Sequence, residues 1–168
     1  EGIVLNNAET ATVNVTGGDA VIESFAGDGV ETLSLTSADD VAIEGDLPLT
    51  VTTIDAGGVE GSFTAMIDGD QGPAGSVDDD YAFTFTGAQG GSTLTLEDLD
   101  DAAAHEIDGG AAGVDLIIQD EVDLSEASLT GVNNITLNND NGTGEDALLT
   151  LTMTQVADIG AGNISHAN

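Results

Sequence analysis

Between Phe63 and Phe85 the sequence reads FTAMIDGDQGPAGSVDDDYAFTF, which sets Asp68, Asp70, Asp78, Asp79 and Asp80 on one loop between two alternating arms, Phe63–Ile67 and Tyr81–Phe85. Clustered carboxylates can act as general acids and bases, or as oxygen ligands for a hard cation. The composition favours the second chemistry. The chain has 168 residues with 32 Asp and Glu, no Lys and no Arg, for a formal net charge of −32. No basic side chain exists to neutralise carboxylates that folding brings together. Calcium takes about six to eight oxygen ligands in flexible geometry, and it is the cation that such a loop fits. Gly69 frees the backbone to turn between Asp68 and Asp70, and Asp78, Asp79 and Asp80 close the site from the other side. Counting from Asp68, Pro73 stands where an EF-hand needs its sharp-turn glycine, so the loop is not an EF-hand.

Two further groups are weighed in the same way. Asn138-Asn139-Asp140-Asn141 with Glu145 and Asp146 is rich enough in oxygen donors for a second calcium loop, and Asp140, Asn141 and Asp146 are its candidate ligands. Asn and Asp also dominate ordinary turns, which is the plainer account of that run. Asp98, Asp100 and Asp101 read as a solvated face at a helix N-terminus, where the helix dipole favours anions. Catalytic residues are not expected. His105 and His166 are isolated, there is no Cys, and no nucleophile elbow, phosphate loop or dinucleotide fingerprint occurs. His105 is expected on a helix surface. A glycosidase-type carboxylate pair would want aromatic platforms for sugar, and Tyr81 is the one polar aromatic residue.

The charge also bounds the partners. A chain this acidic is repelled by nucleic acid and by anionic membrane surfaces, and no apolar run approaches the roughly 20 residues of a membrane span. Without Cys there are neither disulfides nor thiolate metal sites. Two environments suit such self-repulsion, high salt or millimolar calcium outside a cell. Salt adaptation explains an acidic excess better than a complete absence of cations, so an extracellular or cell-surface location is expected. The chain opens at Glu1 without Met, which fits a mature or excised segment.

The elements that must position these carboxylates are strands. Gly and Thr are abundant, and alternation recurs at Thr12–Val15, Glu31–Thr36, Leu49–Ile54, Ser62–Ile67, Tyr81–Thr86, Thr93–Leu96 and Leu148–Met153. Helical signals are two. Thr95 as a cap, followed by Leu96, Leu99, Ala103 and Ile107 at helical spacing, predicts a short helix, and Thr152-x-x-Gln155 is a capping box for a last helical turn through Ile159, ended by Gly160. The whole is read as one all-β domain, residues 1–168, with residues 1–16 as a strand-exchange arm. A fixed repeat would announce a solenoid, and none is evident by eye, so a β-sandwich or jelly-roll-like fold with one short helix is preferred, with a β-solenoid as the alternative.

The stretch from Gly29 to Thr64, GVETLSLTSADDVAI followed by LTVTTIDAGGVEGSFT, resembles modules of bacterial surface-layer proteins and of large secreted RTX-type adhesins. Val122 to Ile159, VDLSEASLTGVNNITL followed by LLTLTMTQVADI, resembles another stretch common in the same proteins. The resemblance implies secretion, calcium binding and assembly into lattices, fibres or adhesive surfaces. The chain departs from the tandem RTX pattern, since Gly27-Asp28-Gly29-Val30-Glu31-Thr32-Leu33 is one imperfect copy of the nine-residue repeat. The expectation is therefore an extracellular, self-assembling structural protein, its partner a second copy of itself joined by N-terminal strand addition. The alternatives are a spacer module of a calcium-dependent adhesin and, more distantly, a carbohydrate-binding or hydrolytic domain.

Overall fold

The computed structural model describes residues 2–6, 8–45, 47–48, 50–69, 81–99, 103–138 and 147–167. Among them the chain forms short strands β1 (Gly2–Asn6), β2 (Thr10–Val15), β3 (Ala20–Ile22), β4 (Ser24–Asp28), β5 (Thr32–Ser37) and β6 (Val41–Ile43). They continue as β7 (Thr53–Val59), β8 (Phe63–Asp68), β9 (Thr84–Thr86), β10 (Ser92–Leu99), β11 (Glu106–Asp108) and β12 (Val114–Asp123). The last are β13 (Ser128–Thr130), β14 (Val132–Leu137) and β15 (Leu148–Thr150), then helix α1 (Met153–Ile159) and β16 (Ile164–His166).

Every strand pair among these residues is parallel, and partners are one coil apart in sequence. Thr10 faces Thr32, Thr84 faces Glu106 and Glu106 faces Ser128, so one coil takes 22 residues. The strands stack into a six-stranded sheet, β2-β5-β7-β9-β11-β13, and an eight-stranded one, β3-β6-β8-β10-β12-β14-β16, with β15 beside the end of β12. A third, shorter side holds β1 against β4. This is a β-solenoid. The all-β expectation holds in its solenoid form and not as a sandwich. Consecutive strands such as β2 and β3 lie in different sheets and never pair, whereas a sandwich of hairpins would pair them.

Alternation then fills the core. Leu33, Ile54, Phe85 and Ile107 stack inward from one sheet, and Ala65, Leu94, Leu116 and Ile135 from the other, all buried. Phe63 and Phe85 meet across the interior with ring centroids 5.9 Å apart. Tyr81 stacks on Phe83 at 6.2 Å and donates its hydroxyl to the Val51 carbonyl at 2.9 Å. Where coils pass close, side chains are excluded. A Cβ on Gly87 would meet the backbone of Gly109, and one on Gly109 would meet the carbonyl of Gly131, so three glycines one coil apart form a column at one corner.

Two expectations change. The helix predicted from Leu96 to Ile107 is absent from the described residues there: Ser92–Leu99 is β10, held between β8 and β12, and Ile107 belongs to β11. The in–out alternation of Thr93-Leu94-Thr95-Leu96 matches two waiting ladders, and that tertiary match outweighs the local helical spacing. His105 is consequently not on a helix surface but buried, 1% exposed, against Phe83. The capping box is where the sequence places it. Thr152 accepts from the Gln155 amide, α1 spans Met153–Ile159 and Gly160 is the C-cap.

The stacking yields a direct expectation. Leu94→Ala, which opens a cavity between Ala65 and Leu116, should cost about 2–5 kcal/mol, while Thr93→Ala on the outer face should change stability by less than about 1 kcal/mol. Urea denaturation at constant high salt measures both, and equal losses would contradict the inward column.

Candidate functional site: an acidic corner

The candidate site forms where three neighbouring coils turn off the eight-stranded sheet. β8 ends at Asp68, which lies beside Glu97 of β10, and Glu97 lies beside Gln119 of β12. The Gly69 amide donates to the Glu97 carbonyl at 2.9 Å. A Cβ at Gly69 would collide with the Asp98 carbonyl oxygen, so only glycine lets β8 leave the sheet this close to β10.

At the next position both neighbouring strands do something unusual. Asp98 and Asp120 have φ of 50° and 53°, the left-handed region that few side chains other than Asn and Asp tolerate. The β10–β12 register slips between Glu97 and Leu99, as in a β-bulge. Bulges re-aim side chains, and the result here is a cluster: carboxylate oxygens of Glu97, Asp98 and Asp120 all lie within 4.8 Å of one another. Ionised carboxylates this close repel one another where no cation lies among them. Oxygens so placed can converge on a divalent ion, whose bonds to each of them span about 2.3–2.6 Å for calcium.

Asp68, the first residue of the predicted calcium loop, thus stands in the ladder beside Glu97. Asp70, Asp78, Asp79, Asp80, Asp140, Asn141 and Asp146 lie outside the described residues. Gly69, Leu99 and Asn138 are the last described residues before the acidic stretches, and the Asn138 amide donates to the Ile118 carbonyl at 2.9 Å. Sequence reading missed Asp120 and gave Glu97 and Asp98 to a helix. The signal was the 22-residue stride from Asp98 to Asp120.

Other carboxylates are held by the backbone instead. Asp40 accepts from the Ser62 amide at 2.7 Å, and that bond, first to the backbone and then to the Ser62 hydroxyl, holds the carboxyl below the usual range. Asp55, Asp108 and Asp123 accept from the amides of Gly57, Gly110 and Ser125 at 3.0, 3.0 and 2.8 Å. These are turn contacts, as expected of Asp next to Gly or Ser. No helix among the described residues is long and apolar enough to cross a membrane. No family model matches the chain, and neither the curated proteins nor the solved structures contain a match to it.

Neutralising the corner should therefore stabilise the protein when no cation is supplied. Glu97→Gln/Asp98→Asn/Asp120→Asn is expected to melt a few degrees above the parent in low salt with chelator present, with the gap closing in molar salt. Circular dichroism melts decide it; a variant that melts lower in low salt would mean that these carboxylates do not repel.

Proposed function

We propose that this chain is an extracellular structural protein that assembles with copies of itself into a surface layer or filament, and that calcium held at the acidic corner stabilises it. The observation that carries the reading is the convergence of Glu97, Asp98 and Asp120 in a chain with no Lys or Arg. Asp68 joins them along the ladder, and Asp70, Asp78, Asp79, Asp80, Asp140, Asn141 and Asp146 are proposed as the ligands that the adjoining loops supply. Calcium in such a site acts by mass action on the folded state, adding about 2.7 kcal/mol when its concentration is a hundred times Kd. The proposed role is structural rather than catalytic.

Assembly is supported by the strand edges at the N-terminal end. Among the described residues β2 and β3 are the outermost strands of their sheets and β1 pairs with β4 alone, and Val4 and Val21 are exposed beside them. β1 and β2 both pair within their own chain, so the contact proposed is addition of a neighbour to these edges. A contact of that kind that does not close on itself propagates into a filament. The adhesin-spacer reading keeps one observation in its favour, since coils that contact their sequence neighbours make a stiff rod without further partners.

Chelation separates the readings. Removing calcium at low salt should lower Tm and disperse the assemblies seen by electron microscopy, and the triply neutralised corner should respond much less. Particles that stay monomeric with saturating calcium would favour the spacer. A Tm indifferent to chelator would remove calcium from the proposal.

A further inference from the structure

We propose that His105 is an acid-sensitive latch within the solenoid, closing the coil between Phe83 and Ser128 while its ring is neutral and opening that coil when the ring takes up a proton. The residue is 1% exposed, and its ring lies 4.7 Å from that of Phe83 one coil back. Its Nδ1 accepts from the Phe83 amide at 3.4 Å, which assigns the ring hydrogen to Nε2. Among the described residues Nε2 has no hydrogen-bond partner. The backbone around it joins three coils: the Glu106 amide donates to the Phe83 carbonyl at 2.9 Å and the Ser128 amide to the His105 carbonyl at 2.8 Å.

A second proton must go to Nδ1, the atom that accepts from Phe83. Two N–H groups would then face each other, and a full charge would sit in an apolar interior. The groups around the ring offer little compensation. Asp123, at the end of β12, is the charged group that acts on it, and its Oδ1 already accepts from the Ser125 amide. Tyr81, stacked on the far side of Phe83, keeps its own proton, since burial pushes the phenol up. Burial pushes the imidazole down to about 4, and Asp123 opposes this only in part.

The sign follows. A base whose folded value lies below its unfolded one of about 6.5 contributes full stability above the unfolded value and loses it as pH falls towards 4. Carboxylates that take up protons in the same window shed charge and relieve repulsion, so acid should loosen this coil while relaxing the strain of charge elsewhere.

Amide exchange read residue by residue, corrected for intrinsic rates and followed from pH 7.5 to 4 at constant salt and calcium, tests this. Protection at Glu106 and Ser128 should fall on the order of a hundredfold more than at Thr32 and Thr53, whose amides donate to Glu9 and Glu31 in coils without histidine. His105→Asn offers an amide oxygen to the Phe83 N–H and cannot gain a proton, so the excess loss should vanish. Should that variant not fold, the imidazole resonances of the parent still decide, because His105 must titrate well below the ordinary histidine value of about 6.5 and together with the loss of protection. A His105 that titrates at the ordinary histidine value with its coil closed, or equal losses in all coils of both proteins, overturns the latch.

Discussion

The fold rests on a ladder that needs no charge. Parallel amide-to-carbonyl bonds between successive coils join each strand to its counterpart on the next coil, and these bonds are indifferent to the absence of Lys and Arg. A globule built on ion pairs was never open to this sequence. Here the interior holds aliphatic and aromatic columns, carboxylates stay at turns and outer positions, and Asp40, Asp55, Asp108 and Asp123 each accept from a backbone amide. The anionic charge is thereby spread along the surface of a rod. Such spreading weakens repulsion by separation, and where separation fails, at Glu97, Asp98 and Asp120, a strained backbone brings charge together.

Strain of that kind is informative. Two non-glycine residues in the left-handed region, on adjacent strands, would be replaced by a relaxed turn if stacking alone mattered. Asp is among the side chains that bear this conformation best, so the positions that break the strand geometry are also the ones that supply oxygen. The same corner lies beside the departure of the longest acidic stretch from the ladder. Thr53 faces Thr84, 31 residues on, rather than a residue one ordinary coil along, because the chain between β7 and β9 carries an insertion.

That insertion also explains what could be read in advance. Individual strands were legible because alternation is local: Leu33 and Leu35, Phe83 and Phe85, Leu94 and Leu96 point inward as their spacing predicts. The Thr152–Gln155 box was legible for the same reason. The coil was not. Its stride is uniform from Gly87 to Gly109 to Gly131, but it lengthens across the inserted segment and shortens where Val114 meets Val132, so a strict period fails over the whole chain. Leu96, Leu99, Ala103 and Ile107 satisfy helical spacing by coincidence, since the first two lie on a strand and Ile107 on the next coil. His105 inherited that error. Its burial depends on Phe83, 22 residues earlier, a relation that periodicity within one element cannot reveal. Asp68 could be found from composition alone, whereas Asp120 could be found only with the stride in hand.

The first and last described coils are built differently. The first carries β1, β2 and β3, of five, six and three residues, and the last carry the three-residue strands β13, β15 and β16. There α1 packs against β14, and the Gln155 side chain donates to the carbonyls of Leu124 and Ala127 at 2.6 and 2.9 Å. Short strands and a helix blunt a sheet edge as a template. Through Gln155, one side chain of a seven-residue helix satisfies two backbone carbonyls of the preceding coil, so the helix is tied to the ladder by the same kind of bond, amide to carbonyl, that joins the coils to one another.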